Sequence, residues 1–383
     1  MSHYLAASCD DYRRLAERRL PRFLFDYIDG GAGGEHTLAA NCRDFQRVRL
    51  RQRVLCDVEN PDTRCELIGQ SASMPVALAP LGMAGLYARR GEAQAARAAA
   101  AFGVPFSLST VGICSLAEVQ AASGKNSWFQ LYMLRDREAV QGLLQQALAN
   151  GCDTLLFTVD LPVAGIRRRD IRNGMLDPSW RGKLAKARQL AQRPGWLLNV
   201  DIRGKPHHFG NLTDQVADPN VLRAFKVWLD AQFDPRVTWG DIRWLRQQWP
   251  GKLILKGILE PGDALQALDC GADGIVISNH GGRQLDGVSS TVRQLPVVAE
   301  ALNGRLPILL DGGIRSGMDI LKALALGAQG VMIGRPWAWA LAAGGEAAVT
   351  RLLAGLQCEL AVAMALCGVK DLEQIDGSLV DWL

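Results

Sequence analysis

The chain has 383 residues, 48% of them hydrophobic and 21% charged, an ordinary globular balance that excludes wholesale disorder. Forty-three basic against 39 acidic side chains leave a formal net charge of +4, too even for a chain-wide nucleic-acid binder. Forty glycines and 16 prolines carry no collagen-like period, and the length suits two or three ordinary domains or one enlarged barrel.

In chain order, Asp10, Asp11, Arg13 and Arg14 first interrupt any apolar leader. Residues 1–73 read as a helical extension with pieces at Asp10–Leu20 and Pro21–Tyr27. From residue 74 to 383, short apolar runs alternate with helical patterns. The runs are Val76–Ala79, Val104–Leu108, Trp128–Tyr132, Thr154–Val159, Leu253–Leu255, Gly274–Ser278, Ile308–Leu310 and Val331–Ile333. Most are continuously hydrophobic, as strands buried on both faces must be.

Helices with legible ends lie between them. Glu92–Phe102 stops at Gly103, Ser115 and Glu118 have capping-box spacing, and Asp136–Asn150 stops at Gly151. Pro261 opens a helix that closes at Gly271, and Ser316–Leu326 closes at Gly327. Eight β-then-α units predict an α/β fold, a (β/α)8 TIM barrel. A doubly wound sheet is the alternative, but no G-x-G-x-x-G follows the first strand. Residues 161–236, after the fourth strand, form an insertion far longer than a usual βα loop, and are a candidate lid or docking element.

Nine cysteines without a C-x-x-C pair or a metal-ligand rhythm read as buried, inert thiols of a reducing compartment, and no metal site is expected. The longest weakly polar stretch, Met74–Ala88, holds 15 residues and two prolines, short of a membrane span. A soluble or peripherally attached protein is expected.

The densest chemical cluster is Ser278-Asn279-His280-Gly281-Gly282-Arg283-Gln284-Leu285-Asp286-Gly287, directly after the sixth strand. A neutral imidazole there can accept a proton near pH 7, and a guanidinium three residues on can hold a carboxylate bidentately. The bland alternative is a loop histidine capping backbone groups. After the seventh and eighth strands come Asp311-Gly312-Gly313-Ile314-Arg315 and Gly334-Arg335-Pro336. Glycine nests with arginines at those two strands suit a phosphate, against a reading as plain turns. Lys256, Thr158-Val159-Asp160 and Gln130-Leu131-Tyr132 load three more strand ends with polar groups, so that five ends read as one site.

These motifs resemble the FMN-dependent L-2-hydroxy-acid dehydrogenases and oxidases, above all in S-N-H-G-G-R-Q (278–284), D-G-G-I-R-S-G (311–317), W-F-Q-L-Y (128–132) and F-T-V-D (157–160). Within that family, F-L-F-D-Y-I-D-G-G-A (23–32) and residues 87–100 are most similar to the bacterial respiratory L-lactate dehydrogenases. The resemblance implies oxidation of an L-2-hydroxy acid, L-lactate foremost, to a 2-oxo acid on bound FMN. His280 would be the base and Asp160 the partner of its protonated form. Arg283, Arg167 and the Tyr27 hydroxyl would hold the substrate carboxylate, with Tyr132 at the substrate hydroxyl. Lys256 would face the flavin N1–O2 edge. Ser109, Gln130, Thr158 and Ser278 would bond the ring and ribityl chain, the backbone at Ala79 would flank N5, and Asp311, Gly313, Arg315, Gly334 and Arg335 would serve the phosphate end. A homotetramer is also implied. Leu81 and Val111 depart from the plant glycolate oxidases, which leaves L-mandelate or a longer acid open as substrate; oxygen is the alternative electron acceptor. A phosphate-binding barrel without turnover is the non-enzymatic alternative.

Residues 167–205 hold eleven Lys or Arg and three Asp, with Trp180, Leu184, Leu190, Trp196, Leu197 and Leu198 interleaved. Such a segment suits an anionic lipid surface. It predicts docking at the cytoplasmic face of the inner membrane with quinone as electron acceptor, the alternative being a solvated lid.

Overall fold

The eight hydrophobic runs form eight parallel strands, at boundaries within three residues of those expected. The computed structural model describes residues 6–174, 177, 179–213 and 231–382, so parts of the insertion (175–176, 178 and 214–230) lie outside the described residues. The strands are β1 (Val76–Leu78), β2 (Ser107–Ser109), β3 (Trp128–Leu131), β4 (Thr154–Thr158), β5 (Lys252–Ile258), β6 (Gly274–Ile277), β7 (Ile308–Asp311) and β8 (Gly330–Ile333). Each pairs with its neighbours in sequence, β8 pairs with β1, and one parallel bridge between Leu78 and Phe106 closes the ring. The architecture is a (β/α)8 barrel, as predicted.

Continuous hydrophobicity has a physical reason here, because alternate residues serve two cores. Ala77, Leu156, Ile254, Val276, Leu309 and Met332 pack inside the barrel. Their neighbours Leu78, Leu155, Leu255, Ile277, Leu310 and Val331 pack outward under the helices. The bottom is stoppered by an antiparallel ribbon, Cys65–Leu67 with Gln70–Ala72, absent from the sequence reading. Leu67 joins the inner core, and the Trp128 indole N–H donates to Gln70 Oε1 at 2.8 Å. A Cβ on Gly330 would meet Leu67 at 2.5 Å, so glycine is what admits the plug.

The expected helices are present, with Ser115 and Ser316 capping theirs through their hydroxyls. The last helix, Arg335–Leu366, is interrupted by non-helical backbone at Gly344 and Gly345 and buries Trp337, Trp339 and Leu341. The extension contains the two expected helices, as Cys9–Arg19 and Arg22–Asp29, and a third, His36–Arg47, that sequence reading missed. Its N-cap Glu35 makes no side-chain cap; instead Asp286 accepts from Gly34 N at 2.8 Å and Thr37 N at 2.9 Å.

Two expectations are corrected. All nine cysteines are free, but Cys56 and Cys358 are exposed, one on an extended loop and one on the outer side of the final helix. In the insertion, Trp196 is no surface anchor: it is buried with its indole N–H on Leu86 O at 2.8 Å, while Leu190 and Leu197 pack partly against the core. Trp180, Leu184 and Leu198 remain exposed.

Candidate active site

The C-terminal strand ends surround a cavity whose wall includes Tyr27, Tyr132, Arg167, Lys256, His280 and Arg283. Ala79, Asp311, Gly313, Arg315, Gly334 and Arg335 line it as well. Through these residues six βα loops, the end of β5 and the N-terminal extension converge on one space.

His280 leaves β6 with φ 56°, a left-handed turn uncommon outside glycine and held here by local contacts. Its N–H donates to Ser278 Oγ at 3.0 Å, and that hydroxyl also accepts from Lys256 Nζ at 2.9 Å. The ring nitrogen Nδ1 lies 2.9 Å from Asp160 Oδ1; a carboxylate can only accept, so the proton sits on Nδ1 and the other ring nitrogen is left basic. Burial alone would raise the Asp160 carboxyl, but the His280 and Lys256 charges hold it below the ordinary value.

Asp160 reaches this place because β5 bulges. The register shifts between Lys256 and Ile258, and Gly257 takes φ 115°. A Cβ at Gly257 would lie 2.7 Å from Asp160 Cβ, so only glycine allows the approach. Lys256, itself buried, pairs with Asp311 at 2.7 Å. Burial would discharge the lysine, yet Asp311 and Asp160 raise its pKa above normal and keep it cationic. Burial, and then the charge of Asp160, pushes the Tyr132 phenol well above its usual range, so at neutral pH it is a hydrogen-bond donor.

At the outer wall, the Arg283 guanidinium donates to the carbonyls of Tyr27 and Gly30 and lies 4.8 Å from the Tyr27 ring centroid. Arg167 lies 5.2 Å from the same centroid and bonds Asp170 at 2.7 Å. Ser109, Gln130 and Thr158 form a buried chain of side-chain hydrogen bonds at 2.9 and 3.1 Å across the ends of β2, β3 and β4.

At the opposite end, Arg315 lies 5.0 Å over the Trp339 ring and Arg335 is half-buried in the cavity wall. Burial, with the charges of Arg283 and Arg315, brings Arg335 down to about 9. Its donors reach the carbonyls of Ile28 (3.1 Å), Gly281 (2.9 Å) and Gly30 (2.9 Å), so the guanidinium read as a plain phosphate ligand also ties three loop carbonyls together. Arg283, Arg315 and Arg335 make no ion pair among the described residues, while Arg167 does. These half-buried cations face the cavity with carbonyl but no carboxylate partners, and an anion there would stabilise them.

The family model described as FMN-dependent dehydrogenase matches residues 16–382. The chain belongs to the FMN-dependent dehydrogenase family. Relatives of this dehydrogenase include an L-lactate dehydrogenase of Caulobacter vibrioides, 53% identical over 379 residues and 98% of each chain. An L-lactate dehydrogenase of Ectopseudomonas mendocina is 49% identical over 98% of this chain and 99% of its own. Among solved structures, the monotopic membrane protein (S)-mandelate dehydrogenase superposes with a TM-score of 0.94 at 34% identity, covering 99% of this chain and 100% of that one. A mandelate oxidase gives 0.83 at 36%, with 98% of both chains covered.

The residues present fit FMN. Two unpaired arginines and the glycines after β7 and β8 gather at one end, where a phosphate dianion would neutralise them. Gly313, at φ 97°, leaves no room for a side chain, since a Cβ would fall 2.0 Å from Asn41 O. Lys256 and the buried Ser109–Gln130–Thr158 chain supply fixed donors further along. Sequence reading missed the braces of this dehydrogenase site. Asn41 and Asn279 exchange amide hydrogen bonds at 2.8 Å, Asp286 caps the third helix, and Gly257 makes the bulge. Asp286 stood inside the quoted loop motif, and its acidic side chain beside two glycines was the available signal.

Proposed function

We propose that this FMN-dependent dehydrogenase oxidises L-lactate to pyruvate, with His280 as the base and quinone as the electron acceptor. The 2.9 Å pairing of His280 Nδ1 with Asp160, on a cavity wall shared with unpaired Arg283, is the observation that carries this reading. Lactate dehydrogenases near 50% identity over the full chain support the substrate.

Arg283 and Arg167 hold the substrate carboxylate, with the Tyr27 hydroxyl beside them. The neutral Tyr132 phenol donates to the substrate hydroxyl. His280 takes a substrate proton, and Asp160 stabilises the imidazolium that results. Arg315 and Arg335, with the backbone at Gly313 and Gly334, would hold the FMN phosphate near Asp311. Ser109, Gln130, Thr158 and Ser278 would bond the ring and ribityl chain, Ala79 backbone would flank N5, and Lys256 would neutralise charge on the ring. FMN supplies the two-electron acceptor. Residues 1–383 act as one unit in this reading.

Anaerobic mixing with L-lactate is expected to bleach the flavin at millimolar concentrations or below, with L-mandelate slower; no bleaching by L-lactate refutes the substrate. Reduced flavin that yields stoichiometric peroxide in air and ignores a water-soluble quinone refutes the acceptor. The TM-score of 0.94 to a mandelate dehydrogenase favours L-mandelate as the second reading.

The insertion docks on the cytoplasmic face of the inner membrane in this proposal. Trp180 and Leu184 are 69% and 62% exposed on one helix, beside exposed Arg181, Lys183 and Arg188. Trp180→Glu with Leu184→Glu should abolish flotation with anionic vesicles; unchanged flotation refutes the docking.

A further inference from the structure

Three stretches meet above the cavity: 27–33, 160–167 and 280–286. The middle one is a strap that begins with Asp160 and ends with Arg167. Gln284 is fully engaged with it. Its Nε2 donates to Asp160 O and Val163 O, both at 3.0 Å, and its Oε1 accepts from Gly165 N at 3.2 Å. Two carbonyl acceptors and one N–H donor match a carboxamide and no other side chain of that shape. Gly165 presses so closely that a Cβ would lie 2.5 Å from Arg283 O and 2.7 Å from Gln284 O. On the far side, Gly33 N donates to Ile166 O at 3.0 Å, and Ala32 N donates to Gly282 O at 2.8 Å.

We infer that Gln284 is a positioning residue for the proposed reaction: it latches the strap so that Asp160 meets His280 and Arg167 faces the substrate carboxylate. The inference rests on the hydroxy-acid reading for its kinetic test but has a readout free of turnover. Gln284→Met keeps the length of the side chain and removes all three hydrogen bonds, while Gly165→Ala forces the strap away by contact alone.

In flavin-loaded protein, both variants should weaken oxalate binding, followed by flavin absorbance, about tenfold. Both should raise KM for L-lactate by a similar factor. Both should also move the acid limb of kcat/KM to lower pH, because an imidazolium deprived of its carboxylate forms less readily. Lower thermal stability with unchanged oxalate affinity in both variants overturns the latch, whatever the substrate. If the unmodified protein ignores L-lactate but the variants still lose oxalate affinity, the proposed substrate falls and the latch stands.

Discussion

Replacing Asp160 with asparagine keeps the size of the side chain and removes its charge. The bond at risk is the 2.9 Å contact to His280 Nδ1, between side chains only 23% and 13% exposed. A hydrogen bond to a charged group between such partly buried side chains is worth up to about 3 kcal/mol where positive charge develops on the ring. At 1.36 kcal/mol per decade, kcat should fall by up to about 160-fold. The carboxyl is held below its ordinary pKa, so a full negative charge is lost throughout the working pH range. Anaerobic stopped-flow reduction of the flavin by L-lactate measures the loss, and flavin absorbance of the purified variant checks that the cofactor is retained. A rate within about threefold of the unmodified protein, at full flavin content, would refute the role given to this pair.

Arg283→Lys loses the planar guanidinium, one nitrogen of which is held by the carbonyls of Tyr27 and Gly30, and KM for L-lactate should rise about 100-fold with FMN retained. Arg315→Met should weaken FMN binding to the apoprotein by about 2 kcal/mol, roughly 30-fold, in a fluorescence titration; an unchanged Kd removes Arg315 from the phosphate end. Asp29 sits between Arg13 (2.6 Å) and Arg169 (2.8 Å), and these arginines overcome burial to hold its pKa below normal. Its stabilisation is therefore complete above about pH 4 and is lost as the pH falls through the depressed folded value, so Asp29→Asn should destabilise the protein by about 3 kcal/mol at pH 7 and flatten that acid limb of the unfolding curve.

The barrel was legible because its evidence is local. Each strand is a run buried on both faces, and glycines or prolines mark most helix ends. The loop proposed to carry base and clamp was legible for the same reason, His280 and Arg283 standing three residues apart, and both line the cavity. What escaped depends on partners distant in sequence. Helix His36–Arg47 has no cap of its own and takes one from Asp286, 249 positions beyond Thr37. Gly257 looked like one glycine among forty until the bulge brought Asp160 against it. Trp196 matched a surface pattern by spacing, whereas the bond from its indole to Leu86 O draws it inward. Arg335 carries the expected charge at the expected strand, but no periodicity indicates that its donors also fasten Ile28, Gly30 and Gly281.

Among the described residues, the ribbon at residues 65–72 floors the barrel on the side away from the cavity. In the proposed reaction the incoming acid, the departing oxo acid and the electron acceptor would share the mouth at the C-terminal strand ends. Visits in that reaction would then be sequential, the oxidised product clearing the threshold before the next guest arrives, and a crowded doorstep would slow both halves of the cycle together.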